Sequence, residues 1–174
     1  MKKAALAAVV AAAMVPAFAS AADLTINFTG TIIAQTCTVN GGNSSLNVAM
    51  PTVGAAQFKQ AGDVAGTTPF QVQLTNCPSG VTQVRGLFEL GPNVNTSTGD
   101  LKIAAATTGK ATNVEIRLLD STASKVRADG GQTPPVAVSS GNATISMYSQ
   151  YVATANSVTA GKTDTSVGFT IAYN

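Results

Sequence analysis

Few side chains in this sequence are suited to chemistry, and the clearest candidates are two cysteines. Cys37 and Cys77 are the only cysteines of the chain, and neither belongs to a Cys-X-X-Cys motif. As free thiols they would need a further ligand to form a metal or redox site, and the chain has no histidine. In an oxidising compartment such a pair is instead expected to form one disulfide.

The other polar residues show no catalytic pattern. The absence of histidine excludes histidine-based triads, histidine acid–base catalysis and the usual zinc and copper sites. Acidic residues occur singly, without the paired carboxylates of glycoside hydrolases. The glycine pairs at 41–42 and 130–131 lie in turn-like sequence and are not phosphate loops. We therefore expect no enzyme, no metal and no cofactor.

The first residues have the pattern of a secretory signal. Two lysines precede an apolar stretch at residues 4–15 that is too short to span a bilayer. Small residues at 19–21 indicate cleavage after Ala21, with cleavage after Ala19 as the alternative. Residues 1–21 are thus a predicted signal peptide, and export favours a disulfide between the two cysteines.

The predicted mature chain is neutral and has the size of one domain. Removing residues 1–21 from 174 leaves 153 residues, with eight Lys and Arg against eight Asp and Glu. A neutral surface does not attract nucleic acid or anionic membranes, and it permits association between copies. No other stretch is long and apolar enough for a transmembrane helix, so we expect no bilayer insertion.

Apolar and polar residues alternate along much of the mature chain. The alternation covers residues 70–75, 84–90, 114–118 and 167–173. A two-residue period predicts half-buried strands, and sequences rich in glycine, proline and asparagine separate them as turns. Because no apolar stripe of helical period occurs, we predict an all-β, immunoglobulin-like β-sandwich over residues 31–174.

One strand-like segment is too long for such a sandwich. Residues 24–39 contain no turn signal and would extend roughly 50 Å, against about 17–20 Å for a usual strand. Its first half has an apolar face, and we predict that this half leaves the body; a frayed N-terminus is the alternative. We call this face the donor row: Leu24, Ile26, Phe28, Gly30 and Ile32.

The sequence resembles the pilins of chaperone–usher fimbriae, the family of type 1 and P pili. Residues 22–30, with the sequence ADLTINFTG, are similar to the N-terminal extension of that family, and residues 32–39 to its first body strand with a cysteine. Residues 70–76 followed by a cysteine match the second cysteine strand. Gly161, fourteenth from the end, and the penultimate Tyr173 match the C-terminal pattern of the family.

This resemblance implies an incomplete sandwich that is completed by donor-strand exchange. The last strand is missing, so a groove exposes the core until a periplasmic chaperone fills it. At an outer-membrane usher, the N-terminal extension of the next subunit, residues 22–30, then replaces the chaperone. The residues implied for the chaperone and acceptor groove are Gly161 and a C-terminal row of Val167, Phe169, Ile171 and Tyr173.

The predicted function is therefore a structural subunit of an adhesive fimbria that supports cell adhesion. Its partners would be the chaperone, the usher and identical or related pilins, and it would pass through the periplasm to the fimbrium on the cell surface. One alternative is a single-domain polymerising adhesin that binds a host receptor directly. Another is a secreted sandwich that does not polymerise, which the donor row disfavours. The sequence leaves open a rod or an adaptor position.

Overall fold

The computed structural model describes residue 24, residues 26–30 and residues 36–173. The chain divides into two compact units, residues 1–32 and residues 33–174. The predicted signal peptide and its cleavage site lie outside the described residues. Within those residues no helix is long and apolar enough to cross a membrane.

The second unit is built from strands. In the described part of the chain the helical elements are single 3-10 turns at Asn40–Gly42 and Ala55–Gln57. The strands there are β1 (Thr38–Val39), β2 (Val64–Thr75), β3 (Gln83–Glu89), β4 (Leu101–Lys102), β5 (Val114–Leu119), β6 (Lys125–Val126), β7 (Val136–Ala137), β8 (Ala143–Ala153) and β9 (Gly168–Tyr173). The predicted all-β fold is confirmed.

The larger sheet has the strand order β1-β2-β8-β5-β4, with β6 also paired to β5. All of its pairs are antiparallel, and the longest joins β2 to β8, with Phe70 opposite Met147 and Val72 opposite Ile145. The Cys37–Cys77 disulfide lies at one edge, beside the pairing of Thr38 with Thr75. The predicted disulfide is confirmed.

The smaller sheet has the order β7-β3-β9. Strand β3 lies in the middle, and the C-terminal strand β9 runs antiparallel to it over six residue pairs, from Val84↔Tyr173 to Glu89↔Gly168. The last two strands of the chain therefore lie in different sheets, because β9 follows β8 in sequence but pairs with β3.

The two sheets enclose one apolar core. Leu74, Ile145 and Met147 from the larger sheet are almost fully buried, as are Val84 and Phe88 from the smaller sheet. All five belong to a single cluster of buried residues. The alternation seen in sequence thus places apolar side chains between two sheets, as a sandwich requires.

Two positions of the alternating pattern differ from the prediction. Leu90 continues the inward phase of β3 in sequence, yet that strand ends at Glu89 and Leu90 is 66% exposed, because the turn at Gly91 begins there. Glu115 was expected on the outer face but is buried, because residues 95–99 fold over it. Asn95 Nδ2 donates to its carboxylate at 2.6 Å.

The N-terminal segment also differs from the strand-like pattern that the sequence shows over residues 24–39. Of the described residues between 24 and 39, only Thr38–Val39 form a strand, and residues 24 and 26–30 do not. A strand is stabilised by hydrogen bonds to a neighbouring strand, and residues 24 and 26–30 are not themselves in strand conformation.

Candidate functional site: the edge strand β9

Strand β9 lies at the end of the smaller sheet. It pairs with β3 along one side, and none of the described residues pairs with its other side as a strand. An edge strand of six residues leaves backbone N–H and C=O groups available to another extended chain. The geometry therefore permits one further strand at this position.

The inward face of β9 carries the C-terminal row, and this row is only partly covered. Phe169, Ile171 and Tyr173 pack against the core but remain half-buried, as does Val167 just before the strand. On the neighbouring strand, inward-facing Val84 is 1% exposed. The core is thus closed over β3 and open along β9.

Phe169 is positioned by a glycine on the neighbouring strand. A Cβ built on Gly86 would lie 2.0 Å from Phe169 Cζ, so the phenyl ring occupies the space of a side chain at that position. The same ring meets Phe88 edge-to-face, with ring centroids 4.9 Å apart. Gly86 is a site residue that sequence reasoning missed, although a glycine inside an alternating strand was a usable signal.

Gly161 does not lie on β9 but in the preceding loop, where it is exposed. A Cβ there would be 2.4 Å from Ala111 N and 2.7 Å from Gly109 O. The adjacent Lys162 bonds the same segment, donating from its N to Gly109 O at 2.9 Å. This glycine therefore allows two backbone segments to approach closely, and it is not part of the strand face that carries the C-terminal row.

An open cavity of about 370 Å³ lies beside the loop that leads into β9. Met50 and Phe58 line one part of it, and Val158 and Gly161 line another. Met50 and Phe58 were not predicted as site residues, since they stand singly in loops without an alternating pattern. The cavity lies along the loop at residues 158–164, before the edge strand begins at Gly168.

The described members of the donor row are exposed. Leu24 is 72%, Ile26 65% and Phe28 91% exposed, and a Cβ on Gly30 would meet nothing within 4 Å. Ile32 lies outside the described residues. Three large apolar side chains in water are unfavourable by roughly 1.5–3 kcal/mol each relative to burial.

Charged side chains anchor loops of the larger sheet. Asp100 is buried and forms salt bridges with Lys125 at 2.8 Å and Arg117 at 3.2 Å. The hydrogen bond from Arg127 holds the pKa of Asp129 below its usual range. Within the described residues, no cluster of three or more acidic or cysteine side chains is arranged to hold a metal ion.

Comparison with known proteins identifies the family. Residues 26–174 match the family model described as fimbrial protein. The chain is 39% identical over 171 residues to the major fimbrial subunit SMF-1 of Stenotrophomonas maltophilia, covering 93% of this chain and 99% of that protein. It is 34% identical over 160 residues to the F17 fimbrial protein of Escherichia coli, covering 87% of each.

The chain belongs to the fimbrial protein family. Among solved structures, this fimbrial subunit is similar to the P pilus rod subunit PapA, with a TM-score of 0.62 over 80% of this chain and 100% of that one. At 18% identity that similarity supports the fold alone. The family resemblance noted in the sequence is confirmed.

Proposed function

We propose that this fimbrial subunit polymerises by donor-strand exchange, with β9 as the acceptor edge and the donor row as the inserted strand. The supporting observation is complementarity within one chain. An unpaired edge with a half-buried apolar row requires a strand, and an exposed segment carries apolar side chains at every second position. The body has no strand beside β9, and the N-terminal segment has no partner strand. Insertion of the segment of one copy beside β9 of another copy would supply both.

The energetics favour a long-lived contact. Burying Leu24, Ile26, Phe28 and Ile32 would contribute on the order of 6–12 kcal/mol before ordering costs. Main-chain hydrogen bonds along β9 would add to this and set the direction of the inserted strand. Gly30 has no side chain, so at that position the donor backbone lies close to the groove.

The same open core implies a partner before assembly. An uncovered apolar row aggregates at ordinary concentrations, so a periplasmic chaperone covers β9 after export, and an outer-membrane usher exchanges it for the next donor strand. The subunit acts structurally and carries out no catalysis, and its final location is a fimbrium on the cell surface.

A charge placed in the donor row tests the proposal. Ile26→Asp or Phe28→Asp puts a carboxylate into an apolar groove, which costs several kcal/mol, so subunits should bind the chaperone but not polymerise. Thr25→Asp and Asn27→Asp are matched controls in the opposite phase and should polymerise. The measurement is the ladder of detergent-resistant polymers on gels, with chaperone complexes purified in parallel.

The outcomes distinguish two questions: whether this segment is the donor strand, and which of its two faces enters the groove. Normal polymers from all four variants would show that this segment is not the donor strand. Loss of polymers from the Thr25 and Asn27 variants alone would show that the opposite face is inserted.

A further inference from the structure

The predicted mature chain contains two methionines, and their surroundings differ. Of the four methionines in the sequence, Met1 and Met14 lie in the predicted signal peptide. Met147 lies on β8 inside the core and is 1% exposed. Met50 lies between β1 and β2, where it is half-buried and lines the open cavity of about 370 Å³. A small solute that enters this cavity can therefore reach Met50, whereas the core shields Met147.

The sulfur of Met50 accepts a hydrogen bond from a buried hydroxyl group. Ser149 Oγ donates to Met50 Sδ at 2.9 Å, and Ser149 is 3% exposed. The second acceptor within reach of this hydroxyl is Thr68 O, at 3.5 Å. A buried hydroxyl without an acceptor is destabilising, so the thioether contributes to satisfying Ser149. A chemical change at the sulfur would act directly on this bond.

The same side chain attaches a segment that has few other contacts of this kind. Residues 44–53 belong to no helix or strand, and they form no backbone–backbone hydrogen bond with the described residues. Met50 and Val53 pack against the core, and Pro51 Cγ lies 3.2 Å from where a Cβ on Gly66 would be. Apolar packing and the hydrogen bond to the Met50 sulfur therefore hold this segment on the sandwich.

The geometry leaves no space for an oxygen atom between the two hydrogen-bonded partners. Met50 Sδ and Ser149 Oγ are already at hydrogen-bonding distance, so an oxygen bonded to the sulfur must displace the sulfur or point elsewhere. In the first case the methionine side chain withdraws from the core. In the second case a polar oxygen replaces part of an apolar contact, and the sulfur becomes a poorer acceptor. Both cases weaken the attachment of residues 44–53.

We propose that Met50 is a reversible oxidation site and that its sulfoxide releases residues 44–53 from the sandwich. The oxidant is a peroxide: as its O–O bond breaks, an S–O bond forms, the sulfur gives up two electrons, and hydrogen peroxide leaves as water. A polar side chain then replaces a flexible apolar one, and methionine sulfoxide reductases reverse the change. The reaction requires neither the donor row nor β9.

The test treats purified fibres with hydrogen peroxide and follows each methionine by peptide mass spectrometry. Met50 should gain one oxygen at least about tenfold faster than Met147, because a buried side chain reacts only when the structure opens. Elastase, which cleaves after small apolar residues, then probes Val48, Ala49 and Val53. Oxidation should speed this cleavage at least about fivefold, because the burial of one methionine side chain is lost. Treatment with both sulfoxide reductases, one for each epimer, should restore resistance.

Three variants separate the sulfur from its surroundings. Met147→Leu is the matched control, and its cleavage should respond to peroxide as in the wild type. Met50→Leu keeps an apolar side chain of similar size, and its cleavage should not respond to peroxide. Ser149→Ala should raise cleavage about threefold before any oxidation, because the hydrogen bond to the sulfur is absent.

Equal oxidation rates at Met50 and Met147 would overturn the proposal, as would oxidation of Met50 that leaves elastase cleavage unchanged. Cleavage of the Met50→Leu variant that still rises with peroxide would show that another group is responsible, and the proposal would be wrong. If that variant does not fold, the reductase treatment of wild-type fibres decides. Resistance that returns as Met50 is reduced supports the proposal, and cleavage that stays fast contradicts it.

Discussion

Gly86 shows how a single residue shapes the edge strand β9. Glycine inside a strand normally weakens it, because the backbone loses more entropy on folding and no side chain packs. Here the ring of Phe169 fills that space, 2.0 Å from where a Cβ would lie. The aromatic side chain of the edge strand is thereby held with its tip against the neighbouring strand and its edge against Phe88.

Replacing this glycine should therefore disturb β9 selectively. Gly86→Ala forces the Phe169 ring to move, and we expect a loss of about 1–3 kcal/mol in the stability of the subunit completed by a donor peptide. Gly91→Ala is the matched control, since a Cβ there meets only Glu89 O at 4.0 Å. Thermal unfolding of both variants measures the difference, and equal melting temperatures would contradict the contact.

Gly161 shows that the same residue type serves another purpose elsewhere. Its position fourteenth from the end attracted attention in the sequence, but the structure places it against the backbone of residues 109–111. That contact joins segments about fifty positions apart in the chain, and no local pattern predicts it. The sequence therefore identified the glycine, but it did not predict the backbone contact that requires a glycine at this position.

At the scale of elements, two of the edge strands of the sandwich are stabilised differently. Strand β9 has six residues and a continuous ladder with β3, whereas β1 has two residues and pairs only at Thr38 and Val39. A ladder of two residues contributes little by itself. The disulfide beside it, from Cys37 to Cys77, is what ties β1 to the end of β2.

Removing the disulfide should release this edge. The bond closes a loop of 40 residues, so Cys37→Ala with Cys77→Ala should lower the free energy of unfolding by about 4 kcal/mol. Urea unfolding of the donor-peptide complex measures the change. A decrease below about 1 kcal/mol would indicate that β1 is held by packing instead.

At the scale of the whole molecule, the sandwich has a core that its own strands do not close along β9. Val84 and Phe88 are buried, yet Tyr173 and Phe169 opposite them are only half-buried. We expect a body with such an edge to be marginal alone and to gain stability when a strand is added. The strand that completes the fold of one subunit would then also be the contact that joins it to the next subunit.

Supplying the missing strand should stabilise the isolated body. Residues 31–174, produced without the donor segment, should aggregate or be proteolysed alone, and a synthetic peptide of residues 22–32 should protect them. At a peptide concentration a thousandfold above its Kd the gain is about 4 kcal/mol. The same peptide with Phe28→Asp is the control. Cooperative unfolding of the body that neither peptide alters would contradict an incomplete core.

The sequence by itself determined the local features of this subunit. The role of residues 24–30 as a donor strand stays a prediction. Alternation between positions i and i+2 predicted the strands, and the isolated cysteines predicted the disulfide. These succeed because the direction of a side chain along a strand depends only on its neighbours in the chain. The departure at Leu90 arises where a turn interrupts that local rule.

Only the tertiary structure decided which strand is the edge and what surrounds it. Pairing of β9 with β3 rather than β8, burial of Glu115 under residues 95–99, and the approach of Gly161 to Ala111 all join distant parts of the chain. Such contacts depend on how two sheets pack, and many pairings share the same alternating pattern. The open side of β9 is therefore a property of the folded sandwich, although each residue on its face was visible in the sequence.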